Sequence, residues 1–382
     1  MPFEVQSGIL DKKTTGAPLT FFIVNSDVKS APYTKGRVRP GHADFAAYHK
    51  TGGHYDQRGG GHFSGRLTAL LVILGDVSRQ MLGKKNALAV SHILSIHTEN
   101  DPSIYDSPLD EATIKRLLDS EFPVIDLDNE ALFKDTILKA KDDKDSVGGV
   151  IETVLFHESV GAGEPFFDSF ESILSHLLFS VPAVKGVSFG RGFDITRMRG
   201  SESNDPIVMN EENTPMFTKN DMGGILGGIA SGQPIVFKTA IKPTASIGKK
   251  QRTVNLKEQE GITIESGKRH DPCIVPRALP VINAVAYFAL LELTLRNEGS
   301  NVDELTKLRN GIDHIDDAIM DLLEQRFTLS EEIGQLKKKT MLEVTHPNRE
   351  KNILAKAENL NHNDAIRSIY KTIFTHSKSI QK

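Results

Sequence analysis

The stretch "LLEQRFTL", Leu322 to Leu329, sets an arginine among apolar residues. Leu305, Leu308, Ile312, Ile315, Ile319 and Leu322 lead up to Arg326, and Leu329, Ile333 and Leu336 continue the series beyond it. Spacings of three and four alternate throughout. That is the heptad signature of one long helix with a buried seam, and Arg326 occupies a seam position. A buried guanidinium keeps its charge and costs several kcal/mol unless something anionic pairs with it. On spacing alone it is either a register-setting polar residue of a coiled coil or part of a binding site.

The helix is expected to start at Asn301, with Glu304 completing a capping box, and to run to about Thr340. At that length it spans roughly 55 to 60 Å and cannot cover its own stripe. Two shorter helices are expected after it, from about Pro347, behind a Thr345-His346 cap, to Asn359 and from about Asp364 to the end. Pairing with a second copy is the simplest way to bury the seam, so an intertwined dimer is predicted. Lys337 follows Arg326 by eleven positions, which places the two within about 20° of azimuth on one face. Arg309 precedes Arg326 by seventeen positions and falls about 100° away, toward a different partner surface. Two cations aimed into a helical interior, with a third from across the interface, describe a pocket for a small dicarboxylate.

This tail resembles the all-helical chorismate mutases, on "LRNGIDHIDDAIMDLLEQR", "GQLKK", "HPNRE" and "SKSIQK". The resemblance implies conversion of chorismate to prephenate without covalent catalysis. It makes Arg326, Arg349 and the neighbouring protomer's Arg309 carboxylate-binding residues. Lys337 and Gln381 would donate to the breaking ether oxygen, and Glu350 would accept from the ring hydroxyl. His346 stands where the family often has an acidic residue, and Gln381 is penultimate.

Length and composition bound the rest. The chain has 382 residues, 38% of them apolar, and a net charge of −4, as expected of a soluble protein of two domains, or one large domain with an appendage, that needs neither nucleic acid nor membrane. The apolar runs at 67–74 and 281–293 read as core helices too short to span a bilayer. Cys273 is the one cysteine, so no internal disulfide is available, and "MPFEVQSG" lacks the pattern of a secretion signal. A reducing cytoplasm is expected. Up to about residue 298, glycine and proline separate strand-like runs such as "LTFFIVN", "VSFGRGF" and "GQPIVFKTAIK" from helix-like segments at 64–82, 108–119, 168–179 and 277–296. The run at 139–146, "KAKDDKDS", reads as a solvated loop. The class is α+β or α/β, and the change of texture at "RNEGSN" predicts domains at 1–298 and 299–382.

Within the first domain the tract from Arg37 to Arg66 holds a triple glycine at 59–61 ringed by Arg39, Arg58 and Arg66. Glycines allow close backbone approach to a ligand, or simply mark a turn. The tract is neither a Walker loop nor a dinucleotide fingerprint. His42, His49, His54 and His62 lack regular metal-ligand spacing, so no metal is expected. Cys273 has no neighbouring base and reads as a small buried residue.

Taken in order, "RPGHAD", "MRGSESNDP", "GGILGGIASGQPI", "IKPTASI" and "GKRHDPCIVPRALP" resemble chorismate synthase across about residues 4 to 296. The resemblance implies a β-α sandwich that removes phosphate and a proton from 5-enolpyruvylshikimate 3-phosphate, using reduced FMN that is not consumed. His42 would protonate or hydrogen-bond the flavin, and Asp271 would assist proton removal. Arg39 and Arg269 would bind substrate. The flavin would be held by His62, Phe63 and Ser64, by Ala183 and Gly227, by Lys242, Pro243, Thr244, Ala245 and Ser246, and by Arg269. As plain alternatives, His42 is a structural loop residue and Asp271, before Pro272, a turn former.

The family's opening glycine-glutamate-serine-histidine-glycine segment has no counterpart here, because "VQSGILDKKTTGAPL" corresponds to the family's interior. His62, Phe63 and Leu67 replace an arginine, a serine and a glutamate, and Pro182 replaces an asparagine. These departures predict a truncated start or a synthase step that is impaired or lost. Three readings follow: a bifunctional synthase and mutase, a mutase behind a degenerate flavin-binding scaffold, or an anion-binding module with a non-enzymatic dimerisation tail. A homo-oligomer is expected, a dimer through the mutase helices or a tetramer.

Overall fold

In the computed structural model, which describes residues 3–25, 36–83, 86–157, 159–211, 213–265, 271–340, 347–358 and 360–381, one antiparallel sheet organises the first part of the chain. Its strands are β1 (Leu88–Ile96), β2 (Glu99–Asn100), β3 (Gly149–Phe156), β4 (Val184–Phe189) and β5 (Ile235–Ile241), in the order β2-β1-β3-β5-β4. Register follows from period-two alternation. Leu155 pairs with Ala89 and Ile235, Thr153 with Ser91 and Phe237, and Ile151 with Ile93 and Thr239. A slip of one residue would turn this whole set onto the opposite face.

That face carries the core. Helices α1 (Asp44–Lys50), α2 (Thr68–Leu82), α3 (Glu111–Asp119), α4 (Asp128–Asp142) and α5 (Phe170–Leu178) accompany the sheet, followed by α6, which begins at Val275. Leu82, Leu117, Phe133, Leu174, Leu178, Ile282 and Leu290 are each buried to within 3%. The Tyr287 hydroxyl accepts a hydrogen bond from the Ala89 amide at 2.9 Å, and Ser91 donates to Asn283 Oδ1 at 2.5 Å. These bonds fix α6 on the sheet.

The opposite face buries charge. His92 lies between Asp101, at 3.2 Å, and Glu152, at 2.9 Å. Glu152 also accepts from Ser103 Oγ and the Ile104 amide, and Asp101 from the Ile125 and Asp126 amides. The network staples two loops to the sheet. Burial by itself would lower the His92 pKa, but hydrogen bonds and charge from Asp101 and Glu152 raise it.

Several sequence expectations change. The segment 139–142, read as loop, closes α4, and Asp110 and Ser169 cap α3 and α5 through their side chains. The strand expected in "VSFGRGF" stops at Phe189, and Gly192–Arg197 forms a 3-10 turn instead. No helix starts at Asn301, because α6 runs from Val275 to Thr340 without a break. Gly299 and Gly311 cost only about 1 kcal/mol each inside a helix, which is too little to stop one. Residues Val275–Asn297 are long and apolar enough to cross a membrane, contrary to the length argument, yet 61% of that window is buried. It is the core helix of the first unit.

Residues Met1–Glu298 and Gly299–Lys382 form two compact units. In the second, α7 (Pro347–Ala355) and α8 (Asn363–Gln381) accompany the last part of α6. Thr345 and His346, expected to cap α7, lie outside the described residues. α7 ends at Ala355, short of the expected Asn359, because turns occupy 356–358.

Candidate functional site

The first unit's site gathers where the chain leaves β5. Residues 242–246 depart from the sheet, and hydrogen bonds tie that loop to several other segments. The Lys242 amide donates to the Ala183 carbonyl at 2.9 Å, and its ammonium to the Gly41 carbonyl at 3.1 Å. Thr244 Oγ1 donates to the Asp271 carbonyl at 2.6 Å, while Ser146 Oγ donates to the Thr244 carbonyl at 2.7 Å. Ser246 Oγ and His42 Nε2 lie 2.7 Å apart. One loop therefore brings together His42, Ala183, Lys242 to Ser246 and Asp271. Ala183 holds φ at +76°, a conformation that a residue with a side chain adopts only where its surroundings require it.

Electrostatics mark the loop as an anion site. His42 is lowered to about 4, by burial first and then by the charge of Arg39, with Lys242 adding to this and Asp44 opposing it. Lys242 is lowered by burial and by Lys185. Cations crowded into a half-buried site favour a negative ligand and keep the imidazole neutral without one. The Asp271 carboxylate pairs with Arg277 at 2.7 Å. Cys273 beside it is 5% exposed, and burial pushes its thiol up to about 11, so it is no nucleophile.

Sequence reasoning missed Asp44. This carboxylate is 4% exposed and accepts from Arg39 three times: from the amide at 3.0 Å, from Nε at 2.7 Å and from a terminal nitrogen at 2.9 Å. Burial alone would raise its pKa, but hydrogen bonds and charge from Arg39 hold it below the usual value. Arg39, read as a plain substrate-binding cation, is thus clamped by a partner five residues on. The clue was the last letter of "RPGHAD", in which an acid follows an arginine before a helix.

Other expected residues stand apart. His62 and Phe63 lie on an exposed 3-10 turn, with Phe63 at 48%, and Ser64 Oγ accepts from the Arg66 amide at 3.4 Å. Gly61 has φ +53°, and a Cβ there would lie 2.4 Å from the Asp56 carbonyl. The triple glycine therefore answers first to its own turn. Arg58 is paired with Asp56 at 2.6 Å rather than offered to a ligand. Gly227 is the turn of the hairpin joining Ile225–Leu226 to Ile229–Ala230. No hydrogen bond among the described residues joins His62, Phe63, Ser64 or Gly227 to the 242–246 loop. Arg269 lies outside the described residues.

In the second unit the seam arginine turns onto α8. A terminal nitrogen of Arg326 donates to Ser377 Oγ, and the guanidinium sits 5.8 Å from the centre of the Phe374 ring. Phe374 and Ser377 are each 6% exposed. Arg326 therefore meets a hydroxyl and a π-face, and no carboxylate among the described residues. Lys337 is half-buried, and Arg309 and Arg349 are exposed. Glu350 pairs with Lys378 at 2.8 Å, a partner the sequence reading did not assign. Gln381 closes α8, its Oε1 buried and without a hydrogen-bond partner among the described residues. Ser377, one turn before Gln381, joins the cluster, and the four-residue spacing that puts them on one face was legible in "SKSIQ".

Family comparisons match both units. The family model described as chorismate synthase matches residues 2–295, and the one described as chorismate mutase type II matches 308–382. A chorismate synthase of Dehalococcoides mccartyi is 40% identical over 295 residues, covering 77% of this chain and 80% of its own length. One from Methanocaldococcus jannaschii is 40% identical over 307 residues with the same coverage. One from Chitinophaga pinensis is 41% identical over 303 residues, covering 79% and 80%. A crystal structure of chorismate synthase superposes with a TM-score of 0.58 at 24% identity, over 77% of each chain, which supports the shared sandwich fold. The chain accordingly belongs to the chorismate synthase family, and behind that domain it carries a helical chorismate mutase type II domain.

Proposed function

We propose that the chain performs two successive steps of the shikimate pathway. The first domain converts 5-enolpyruvylshikimate 3-phosphate to chorismate and phosphate, and the second rearranges chorismate to prephenate. Family membership over residues 2–295 supports the first activity. The observation that carries the second is Arg326, a seam cation oriented by Ser377 and Phe374 with no acidic partner among the described residues.

In the first domain the donor set fits an anionic, phosphorylated cofactor. The loop offers Lys242, Thr244 and Ser246, and Gly41 lies so close that a Cβ there would be 3.0 Å from that of Ala245. Reduced FMN, when bound, supplies transient reducing power and is not consumed. Lys242 to Ser246 and Ala183 would hold it. Arg39, locked by Asp44, would present a fixed charge to the substrate. His42, neutral at about pKa 4, becomes a proton donor only once an anion's charge raises it. Asp271, held through Thr244 and Arg277, would take the departing proton.

In the second domain, binding alone must fold a flexible dianion into its reactive shape. Arg326, Arg349 and the partner subunit's Arg309 would grip the carboxylates, and Lys337 and Gln381 would donate to the oxygen that gains charge. Glu350, oriented by Lys378, would accept from the ring hydroxyl. The exposed stripe from Leu308 to Leu336 supports dimerisation along α6. A lone buried Cys273 fits a reducing cytoplasm.

The test is Arg326→Ala, assayed for prephenate formation. Turnover efficiency is expected to fall on the order of 10³, with the mass in solution unchanged. Unaltered turnover would discard the mutase assignment. For the first domain, chorismate formation from the phosphorylated substrate under reduced FMN should vanish in His42→Ala.

A further inference from the structure

We propose that Gly334 is the residue that positions Gln381 in the mutase site, by letting the last turn of α8 lie directly against α6. This role rests on the mutase reading above. Gly334 is buried in the middle of a helix, where nothing in the local backbone calls for glycine. A Cβ at that point would lie 2.8 Å from Gln381 Cα, 3.2 Å from its carbonyl oxygen and 3.3 Å from its Cβ. Two of these are backbone atoms, so no change of rotamer relieves the contact, and the helix end itself must move.

The surroundings converge on the same point. One turn before Gly334 is Ser330, and one turn before Gln381 is Ser377, each 6% exposed. Arg326 reaches Ser377 across this seam, and Ser330 Oγ donates back to the Arg326 carbonyl at 2.9 Å. Ser330 and Gly334, small residues four apart on α6, face the last turns of α8 at Ser377 and Gln381, where Arg326 and Gln381 would act jointly. Lys337 is three residues beyond Gly334, so it shares this helical face. The Gln381 Oε1 atom is buried and makes no hydrogen bond to any described residue. Placement of the helix end therefore decides where this oxygen lies.

Local preference runs the other way. Alanine favours a helix interior over glycine, so helix propensity alone would make Gly334→Ala neutral or stabilising, and a loss must come from the contact with α8. Steady-state kinetics on the full chain separate the two cases. Gly334→Ala and Gln381→Ala are each expected to lower kcat for prephenate formation on the order of 10², with KM for chorismate little changed because the carboxylate grips remain. The double variant should be no slower than Gln381→Ala alone. Should Gly334→Ala unfold, removing residues 381–382 in that background is expected to restore the melting temperature of the truncated parent, since it removes the clashing atoms. Wild-type turnover in Gly334→Ala, losses that multiply in the double variant, or a truncation that rescues nothing would overturn the proposal. A chain with no mutase activity at all would overturn the site reading, and this role with it.

Discussion

The two units bury their apolar residues in different ways. In the first, residues from Leu82 to Leu293 form one continuous core, and charged groups taken inside are paired, as in His92 with Asp101 and Glu152 or Arg39 with Asp44. In the second, Ala357 and Phe374 are the apolar residues buried among those described, while Leu308, Ile312, Ile315, Leu322, Leu329 and Leu336 are each at least 57% exposed. A sheet with a helix on it closes a core within one chain; a single long stripe does not. The synthase-like site is consequently assembled from loops cross-tied inside one unit, whereas the proposed mutase site lies beside an apolar stripe that its own chain leaves exposed.

The sharpest way to break this contrast is to charge the stripe. Ile319→Asp sets two carboxylates into a two-fold interface, a penalty of several kcal/mol. The dimer dissociation constant should rise on the order of 10³, and prephenate formation should fall on dilution, as followed by sedimentation and by assay across protein concentration. Unfolding of the first unit should not change. A mass that stays dimeric at every dilution would place the contact elsewhere.

A smaller effect tests the cross-ties. Asp44→Asn keeps the shape but removes the charge that locks Arg39, and the synthase kcat/KM is expected to drop on the order of 10² while mutase turnover holds. Because Asp44 opposes the lowering of His42, the same variant should titrate His42 still lower, which NMR can read directly.

The smallest effect is on pH. His42 titrates near 4 in the folded chain against 6.5 in the unfolded one, so the folded state binds fewer protons between these values. This residue therefore costs no stability above pH 6.5, and its penalty grows as pH falls from 6.5 toward 4. His42→Asn should flatten the slope of the urea midpoint over that window. Added inorganic phosphate or FMN should move the His42 titration upward; a titration indifferent to both would remove the anion from the site.

Much of this was legible in residue order because helix and strand periods are local. Alternation of three and four residues announced the seam and the misplaced Arg326, and the run "GQPIVFKTAIK" announced strand β5. The start of α6 was misjudged because one glycine and a polar stretch resemble a boundary, although neither breaks a helix. Ser377 and Lys378 stood in plain view at the last turn, but no local rule assigned them to Arg326 and Glu350.

The amino-acid sequence by itself determined the division into a glycine-rich α/β part and a helical tail, the two families, and which cations stand where greasy residues belong. Tertiary structure alone decided which groups meet. His42 reaches Ser246 across 204 positions, Thr244 anchors the Asp271 backbone, and Gly334 makes room for Gln381. Periodicity is written into neighbouring residues, whereas a contact between distant ones exists only once the chain has paid the entropy of bringing them together.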